Sequence, residues 1–166
     1  MPKKHKADTK VWERLREKVK DISRWRARVG VLDNGATADD GTRIVDIAIF
    51  HEFGTSRFEA RSFLRFTLEN KKGELVNVCT RLARGLLADK IEIEKAMKVL
   101  GAFTSEQVKN SIRKRLIRQE LSPATIAARA RRAGKSGGDE NKTPAALWDT
   151  GRLLGSITFA AVREGE

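Results

Sequence analysis

Between residues 63 and 118, apolar side chains recur every three or four positions, and this spacing constrains the fold more than any other feature of the chain. It places them on one face of an α-helix. The sequence therefore predicts that helices occupy most of this region. Two stripes follow each other: Phe63, Leu64, Phe66, Leu68, Leu75, Cys79, Leu82 and Leu86, then Ile93, Met97, Leu100, Val108, Ile112 and Leu116. Cys79 is predicted to be a small core residue of the first stripe.

Shorter segments on either side have a different pattern. RWRARVGVL, from Arg24, and SITFAAV, from Ser156, alternate apolar with polar or small residues, which is typical of half-buried strands. The turn-rich DNGATADDGT predicts a hairpin tip after the first strand. The following RIVDIAIF can return as a strand or begin a short helix, and the spacing of its apolar residues favours a strand at 43–45 and a helix at 46–53. We therefore expect an α+β fold in which a small antiparallel sheet packs against long α-helices, with helix dominating.

The chain is long enough for one domain with a real core. Residues 1–8 are predicted to be a flexible basic N-terminus, and a helix should begin after Asp8 or Thr9. Residues 9–166 then form a single domain with a flexible polar linker at about 134–145. The single cysteine excludes an internal disulfide, and no segment has the length and apolarity of a membrane span.

Positive charge is concentrated in two zones of the chain, whose net charge is +12. Residues 1–28 hold 11 Lys/Arg against 4 Asp/Glu, and residues 109–135 hold 9 against 1. Clustered cations attract nucleic acid or acidic protein surfaces. The candidate contacts for DNA or an acidic partner in the second zone are Arg113, Lys114, Arg115, Arg118, Arg129, Arg131 and Arg132.

His51 and Glu52 invite comparison with a zinc-binding HExxH helix, but the comparison fails. Thr55 occupies the position of the second histidine, and His5 is the only other histidine. One imidazole without a cysteine pair does not complete a tetrahedral site. The segment is instead predicted to be a polar turn before Gly54. The nearby carboxylates are predicted to face solvent, and they are Asp39, Asp40, Asp46 and Glu52.

No serine has an evident base and orienting partner, and no full phosphate-binding loop is present. We therefore expect no enzymatic activity, no metal and no cofactor.

Three segments in a fixed order resemble the tail completion (neck) proteins of tailed bacteriophages, the phage virion morphogenesis family. They are HEFGT with ARSFLR, then LSPATIAARARRAG, then ALWDTGRLLGSI, and they cover about residues 45–160. Ser62 stands where the family has proline, and Ala146-Leu147-Trp148 replaces its usual proline–leucine pair. The residues of the two turns are His51, Glu52, Phe53, Gly54, Thr55, Asp149, Thr150 and Gly151.

These motifs make physical sense as turns that feed helices. Gly54 can take a positive φ, and Thr55 or Ser56 can cap the helix that follows. Asp149 or Thr150 can cap the last helix, with Gly151 allowing close packing. Phenylalanine and aliphatic side chains are predicted to fill the core: Phe53, Phe63, Phe66, Leu153, Leu154 and Ile157.

Arginines of the same motifs are the candidates for contacts between subunits. Arg61 and Arg65 are predicted to share one helix face, and Arg152 belongs to the last motif. A planar guanidinium suits a carboxylate on a neighbouring copy.

The resemblance implies a non-enzymatic virion component at the head–tail junction, made in the host cytoplasm. It would complete the tail and join it to the head connector or adaptor as a homo-oligomeric ring, with six copies expected. Further partners would be the tail terminator or tail tube proteins and, nonspecifically, DNA in the channel; no membrane is involved. The alternative is a free basic nucleic-acid-binding protein.

Overall fold

A computed structural model describes residues 9–56, 59–117 and 151–165, together with the single positions Ala127 and Arg131. The helices and strands, in chain order, are α1 (Thr9–Ile22), β1 (Trp25–Val31), α2 (Ile44–Phe53), α3 (Phe63–Asn70), α4 (Lys72–Leu87), α5 (Ile93–Arg113), α6 (Arg152–Ser156) and β2 (Ile157–Arg163). The structure is dominated by helix and has a small two-stranded antiparallel sheet, so the predicted α+β class is confirmed.

The sheet joins two distant parts of the chain. β1 pairs antiparallel with β2, in a register that runs from Trp25 opposite Arg163 to Val31 opposite Ile157. α5 packs across both strands. Its Gly101 makes this approach close, because a Cβ there would lie 2.7 Å from Cδ2 of Phe159.

The predicted hairpin after β1 is wrong. Residues 33–43 form a loop closed by one bridge between Thr37 and Arg43, and the chain then enters α2 directly at Ile44. The predicted return strand at 43–45 therefore does not form. The physical reason is that Ile44, Ala48 and Glu52 lie four apart, so a helix buries all three on one face.

One apolar core joins α2, α3, α5, α6 and β2. Phe63 and Ile157 are completely buried at its centre, and full burial of a side chain of this size contributes about 1.5–3 kcal/mol. The buried residues of this core are Ile44, Ala48, Phe63, Val108, Ile112, Leu153 and Ile157. The core positions predicted for Phe63, Leu153 and Ile157 are therefore confirmed, and Leu154 packs against them from the edge.

Two predicted core positions are wrong. Phe53 is 68% exposed, because it lies at the end of α2, one position beyond the face that Ile44, Ala48 and Glu52 bury. Cys79 is exposed and Val78 is buried instead. Positions 78 and 79 both fit a helical stripe with Leu75 and Leu82, and packing selects the first.

Among the described residues, no helix is both long and apolar enough to span a lipid bilayer.

Candidate functional site

Glu52 is the centre of the HEFGT–ARSFLR segment. It lies in the last turn of α2 and is 5% exposed, so the prediction that it faces solvent is wrong. Its Oε2 accepts a hydrogen bond of 2.9 Å from the N–H of Leu64, and its Oε1 accepts one of 3.1 Å from the N–H of Arg65. These two N–H groups belong to the first turn of α3, where a helix has no carbonyls of its own to bond. Glu52 therefore caps α3 from another helix.

This arrangement replaces the local caps that the sequence suggested. Ser62 occupies the cap position of α3, but its hydroxyl donates to the carbonyl oxygen of Glu52 at 2.8 Å rather than bonding α3. Thr55 and Ser56 lie several residues before α3, so the prediction that one of them caps it is wrong. A carboxylate near the positive end of a helix dipole also gains electrostatically.

Gly54 permits the turn between the two helices. Its φ of +79° lies in the left-handed region, as the sequence predicted, and its N–H closes α2 by donating to Phe50 at 2.8 Å. A Cβ on this residue would lie 2.7 Å from the backbone N of Ala60. The N–H of Arg61 donates to the carbonyl of His51 at 2.6 Å. The chain that leaves α2 therefore returns against it before α3 begins.

Arg65 holds the same junction from the outside. Its Nε lies 3.2 Å from Oε1 of Glu52, and its Nη2 donates to the carbonyl of Glu52 at 2.8 Å and to Oγ of Ser62 at 3.0 Å. Its guanidinium carbon also lies 5.2 Å from the centre of the Phe53 ring, which is cation–π range. The side chain remains 56% exposed. We call the group formed by Glu52, Gly54, Ser62 and Arg65 the Glu52 junction.

The three arginines predicted as subunit contacts lie in different settings. Arg61 precedes α3, so it does not share a helix face with Arg65, and that part of the prediction is wrong. Arg152 pairs with Asp39 at 2.5 Å and so ties the start of α6 to the 33–43 loop. Asp39 and Asp40 are exposed, as predicted, and Asp46 is half-buried and pairs with Arg43. Contact with a neighbouring copy stays a prediction for all three arginines.

The last motif meets the first one in space. α6 packs against α2, and its Leu153 shares the core with Ile44 and Ala48. Gly151 begins α6 with a φ of +71°, but nothing lies within 4 Å of a Cβ placed there. Backbone conformation, rather than the predicted close packing, therefore explains this glycine. Asp149 and Thr150, the predicted caps, lie outside the described residues.

The basic candidates are described only in part. Arg113, Lys114 and Arg115 are exposed at the C-terminal end of α5, and Arg113 pairs with Glu106 at 2.7 Å. Arg131 is helical and exposed, and its Nε donates to the carbonyl of Ala127 at 3.3 Å. Arg118, Arg129 and Arg132, like the predicted flexible segments at 1–8 and 134–145, lie outside the described residues.

Among the residues that the structure describes, Asp40 and Arg43 have a shifted pKa. The backbone N–H of Thr42 bonds the Asp40 carboxylate at 3.0 Å and lowers its pKa. The hydrogen bonds that Arg43 donates to the Asp46 carboxylate, together with the charges of Asp46 and Asp33, raise the pKa of Arg43. These shifts belong to the 33–43 loop, outside the Glu52 junction. In the described parts of the chain, no group of three His, Cys, Asp or Glu side chains is arranged to hold a metal ion.

The sequence motif marks the position of the junction but not the hydrogen bonds that Glu52 accepts there. The HEFGT spacing identified Gly54 correctly, but nothing near Glu52 in the sequence signals that its partners are the N–H groups 12 and 13 residues later. The local signal pointed elsewhere, because Ser62, a residue type that favours the N-cap position, directly precedes Phe63.

No family model, curated protein or solved structure matches this chain. The resemblance to phage tail completion proteins therefore rests on the three ordered motifs.

Proposed function

We propose that this protein is a structural component of a tailed-phage virion. In this proposal it completes the tail at the head–tail junction and joins it to the head connector as a ring of copies. It assembles in the host cytoplasm and contacts the connector on one side and the tail terminator or tail tube on the other. Its chemistry is recognition between protein surfaces rather than catalysis.

The observation that carries this proposal is the meeting of two motifs of the resemblance around one core. The HEFGT–ARSFLR segment forms the turn between α2 and α3, and DTGRLLGSI supplies α6, which packs against α2. Leu153 and Ile157 of the second segment are buried with Phe63 of the first. Two motifs far apart in the chain that build one structural unit are better evidence of a shared architecture than either motif alone.

Disruption of the gene in its phage tests the proposal. We expect lysates to contain DNA-filled heads and separate tails by electron microscopy, because the joining component is missing. Expression of the wild-type protein in trans should restore joined, infectious particles. Joined particles from the disrupted phage would contradict the proposal.

Complementation with matched variants links that phenotype to the Glu52 junction. Glu52→Gln removes the buried carboxylate, whereas Glu69→Gln makes the same chemical change at an exposed position of α3. We expect the first variant to restore fewer joined particles than the second at equal protein level. Equal rescue by both would show that the junction is not needed for joining.

The runner-up is a free nucleic-acid-binding protein, favoured by the exposed Arg113, Lys114 and Arg115 at the end of α5 and by the net charge of +12. It predicts tight duplex binding that weakens steeply between two salt concentrations, because each phosphate contact releases counterions. Absence of binding at low salt would remove this alternative. Tight binding lost in an Arg113→Ala, Lys114→Ala, Arg115→Ala variant would favour it.

A further inference from the structure

The sheet leaves one edge of each strand without a neighbouring strand. Among the described residues it contains β1 and β2 alone, so each strand pairs on one side only. In an antiparallel ladder, residues whose N–H and C=O groups bond the partner strand alternate with residues whose groups point away from it. The N–H of Glu164 donates to the carbonyl of Arg24 at 2.8 Å, one step beyond the pair of Trp25 with Arg163. Even-numbered residues of both strands therefore bond inward.

The odd-numbered residues point their backbone groups outward. In the middle of the two edges these residues are Ala27 and Val29 of β1, and Phe159 and Ala161 of β2. No described residue forms a hydrogen bond with the backbone groups of these four. A backbone group without a protein partner has to bond water, and a row of such groups is a template for another strand. Both edges are therefore able to accept a strand.

The two strands differ in charge, and this limits which edges can meet. β1 carries the exposed Arg26 and Arg28, whereas β2 has no charged residue before Arg163. Antiparallel pairing of two β1 edges about the middle of the strand sets an arginine opposite an arginine, and like charges directly opposite are destabilising. Pairing of β1 with the β2 of another copy sets the two arginines opposite Val162 and Ala160 instead. Charge therefore opposes β1 with β1 and permits β1 with β2.

The chain itself shows that these two strands are complementary. Within one copy, Val29 lies opposite Phe159 and Ala27 lies opposite Ala161. The same register on the outer side again sets odd-numbered residues opposite odd-numbered ones, so the outward groups of β1 meet those of a second β2. Both pairs then exchange hydrogen bonds in both directions. A β-branched residue opposite an aromatic one, as in the pair of Val29 with Phe159, is a favourable cross-strand contact.

We propose that the outer edge of β1 pairs antiparallel with the outer edge of β2 of a second copy, so that the sheet continues from copy to copy. The contact is heterologous, because different edges meet, and repetition leaves no open edge when the rotation closes into a ring. Pairing of β2 with β2 would instead end at a dimer that keeps both β1 edges open. The pairing of β1 with β2 rests on the part of the proposed function in which copies form a ring, and it specifies the edges that build it.

Disulfide formation between singly substituted proteins tests this pairing. In a Cys79→Ser background, Arg28→Cys and Ala160→Cys place thiols at positions that lie opposite each other in the register. Between copies these positions form a non-hydrogen-bonded pair, whose Cα atoms lie about 4.5 Å apart, a separation that a disulfide spans. Under mild oxidation we expect an equimolar mixture of the two proteins to give a disulfide-linked dimer. Either protein alone should give at least about ten-fold less, because its thiols do not meet.

Proline variants test the backbone hydrogen bonds of the new ladder. Ala161→Pro in the Ala160→Cys protein removes an outward N–H that bonds no described residue, so the single chain should keep its fold. The mixed dimer should fall at least about ten-fold, because the incoming strand loses a donor and meets the proline ring. Ala27→Pro in the Arg28→Cys protein makes the same test from the β1 edge.

Serine at the same two positions provides the matched controls. Ala161→Ser and Ala27→Ser keep the backbone N–H and should leave the yield of mixed dimer unchanged. Circular dichroism and thermal melting of each variant ensure that a loss of yield reflects the edge rather than the fold.

Several results would overturn the pairing. A dimer formed as readily by Ala160→Cys alone would mean that β2 meets β2, and one formed by Arg28→Cys alone would mean that β1 meets β1. No dimer in the mixture would mean that the two edges do not meet. A mixed dimer that both proline variants leave unchanged would mean that contact occurs without a backbone ladder. Each of these results leaves the gene-disruption phenotype unaffected, so this inference and the proposed function fail separately.

Discussion

The Glu52 junction and α1 differ in what each one buries: the junction buries a charged side chain, whereas α1 leaves apolar side chains exposed. At the junction, a buried carboxylate accepts hydrogen bonds from the N–H groups of Leu64 and Arg65, in the first turn of α3, and pairs with the Arg65 guanidinium. α1 is the more amphipathic of the two regions and buries no residue. The comparison teaches that a charged residue type does not by itself mean a surface position. It also teaches that an amphipathic helix does not always pack its apolar face against its own chain. What decides both cases is where the complementary group lies in space.

Among variants of the Glu52 junction, the largest effect is expected from Glu52→Ala. This change leaves two N–H groups and part of the Arg65 guanidinium without their acceptor in a buried place. We expect the free energy of unfolding to fall by about 2–4 kcal/mol, measured by urea denaturation. Glu69→Ala, on the exposed face of α3, is the control and should change it by less than about 0.5 kcal/mol. Equal losses of unfolding free energy in the two variants would mean that the Glu52 carboxylate contributes no more to stability than an exposed carboxylate.

Gly54→Ala should have the next largest effect on the free energy of unfolding. Comparison with Gly35→Ala separates the cost of the backbone conformation from the cost of the steric clash. Both glycines have a similar positive φ, +79° and +75°, but a Cβ at Gly54 meets the Ala60 backbone at 2.7 Å whereas one at Gly35 has nothing within 4 Å. We expect about 1 kcal/mol of destabilisation at Gly35 from conformation and about 2–3 kcal/mol at Gly54 from conformation plus the clash. Similar unfolding midpoints for the two variants would contradict this account.

Trp12→Glu should have little effect on the stability of the single chain. The indole is 64% exposed and covers no core residue, so the free energy of unfolding at low protein concentration should change by less than about 0.5 kcal/mol. Phe63→Ala, at a completely buried aromatic position, should cost about 3–5 kcal/mol in the same assay. A large loss for Trp12→Glu would mean that α1 is covered within its own chain.

The smallest effect is expected from Asp40→Asn, and it should disappear at low pH. Since the pKa of Asp40 is lowered from its ordinary 3.8 in the folded state, its carboxylate stabilises the loop above that value and loses this contribution as the pH falls through the folded pKa. The carboxylate is fully exposed, so the contribution is small. Melting curves of wild type and variant should therefore differ slightly at neutral pH and converge at strongly acidic pH.

The elements that sequence predicted well are those with a local signal. Periodicity predicted α1, both strands and the core positions of Phe63, Val108 and Ile112, because burial on one face of a regular element repeats along the chain. The predicted hairpin was wrong because an alternating pattern identifies a strand but not its partner. The partner of β1 is β2, more than 100 residues later in the sequence. The prediction that Glu52 faces solvent was wrong for the same reason, since its hydrogen-bond donors belong to the next helix.

The pairing of β1 with β2 has a consequence for synthesis. Every helix between the two strands leaves the ribosome before the residues that complete the sheet, so β1 stays without its hydrogen-bonding partner until residues 157–163 emerge. Contacts between residues this far apart in sequence also slow folding, because a long loop must close first. The nascent chain therefore has an open strand and an incomplete core until residues 157–163 are made, and a truncation before residue 157 removes this sheet.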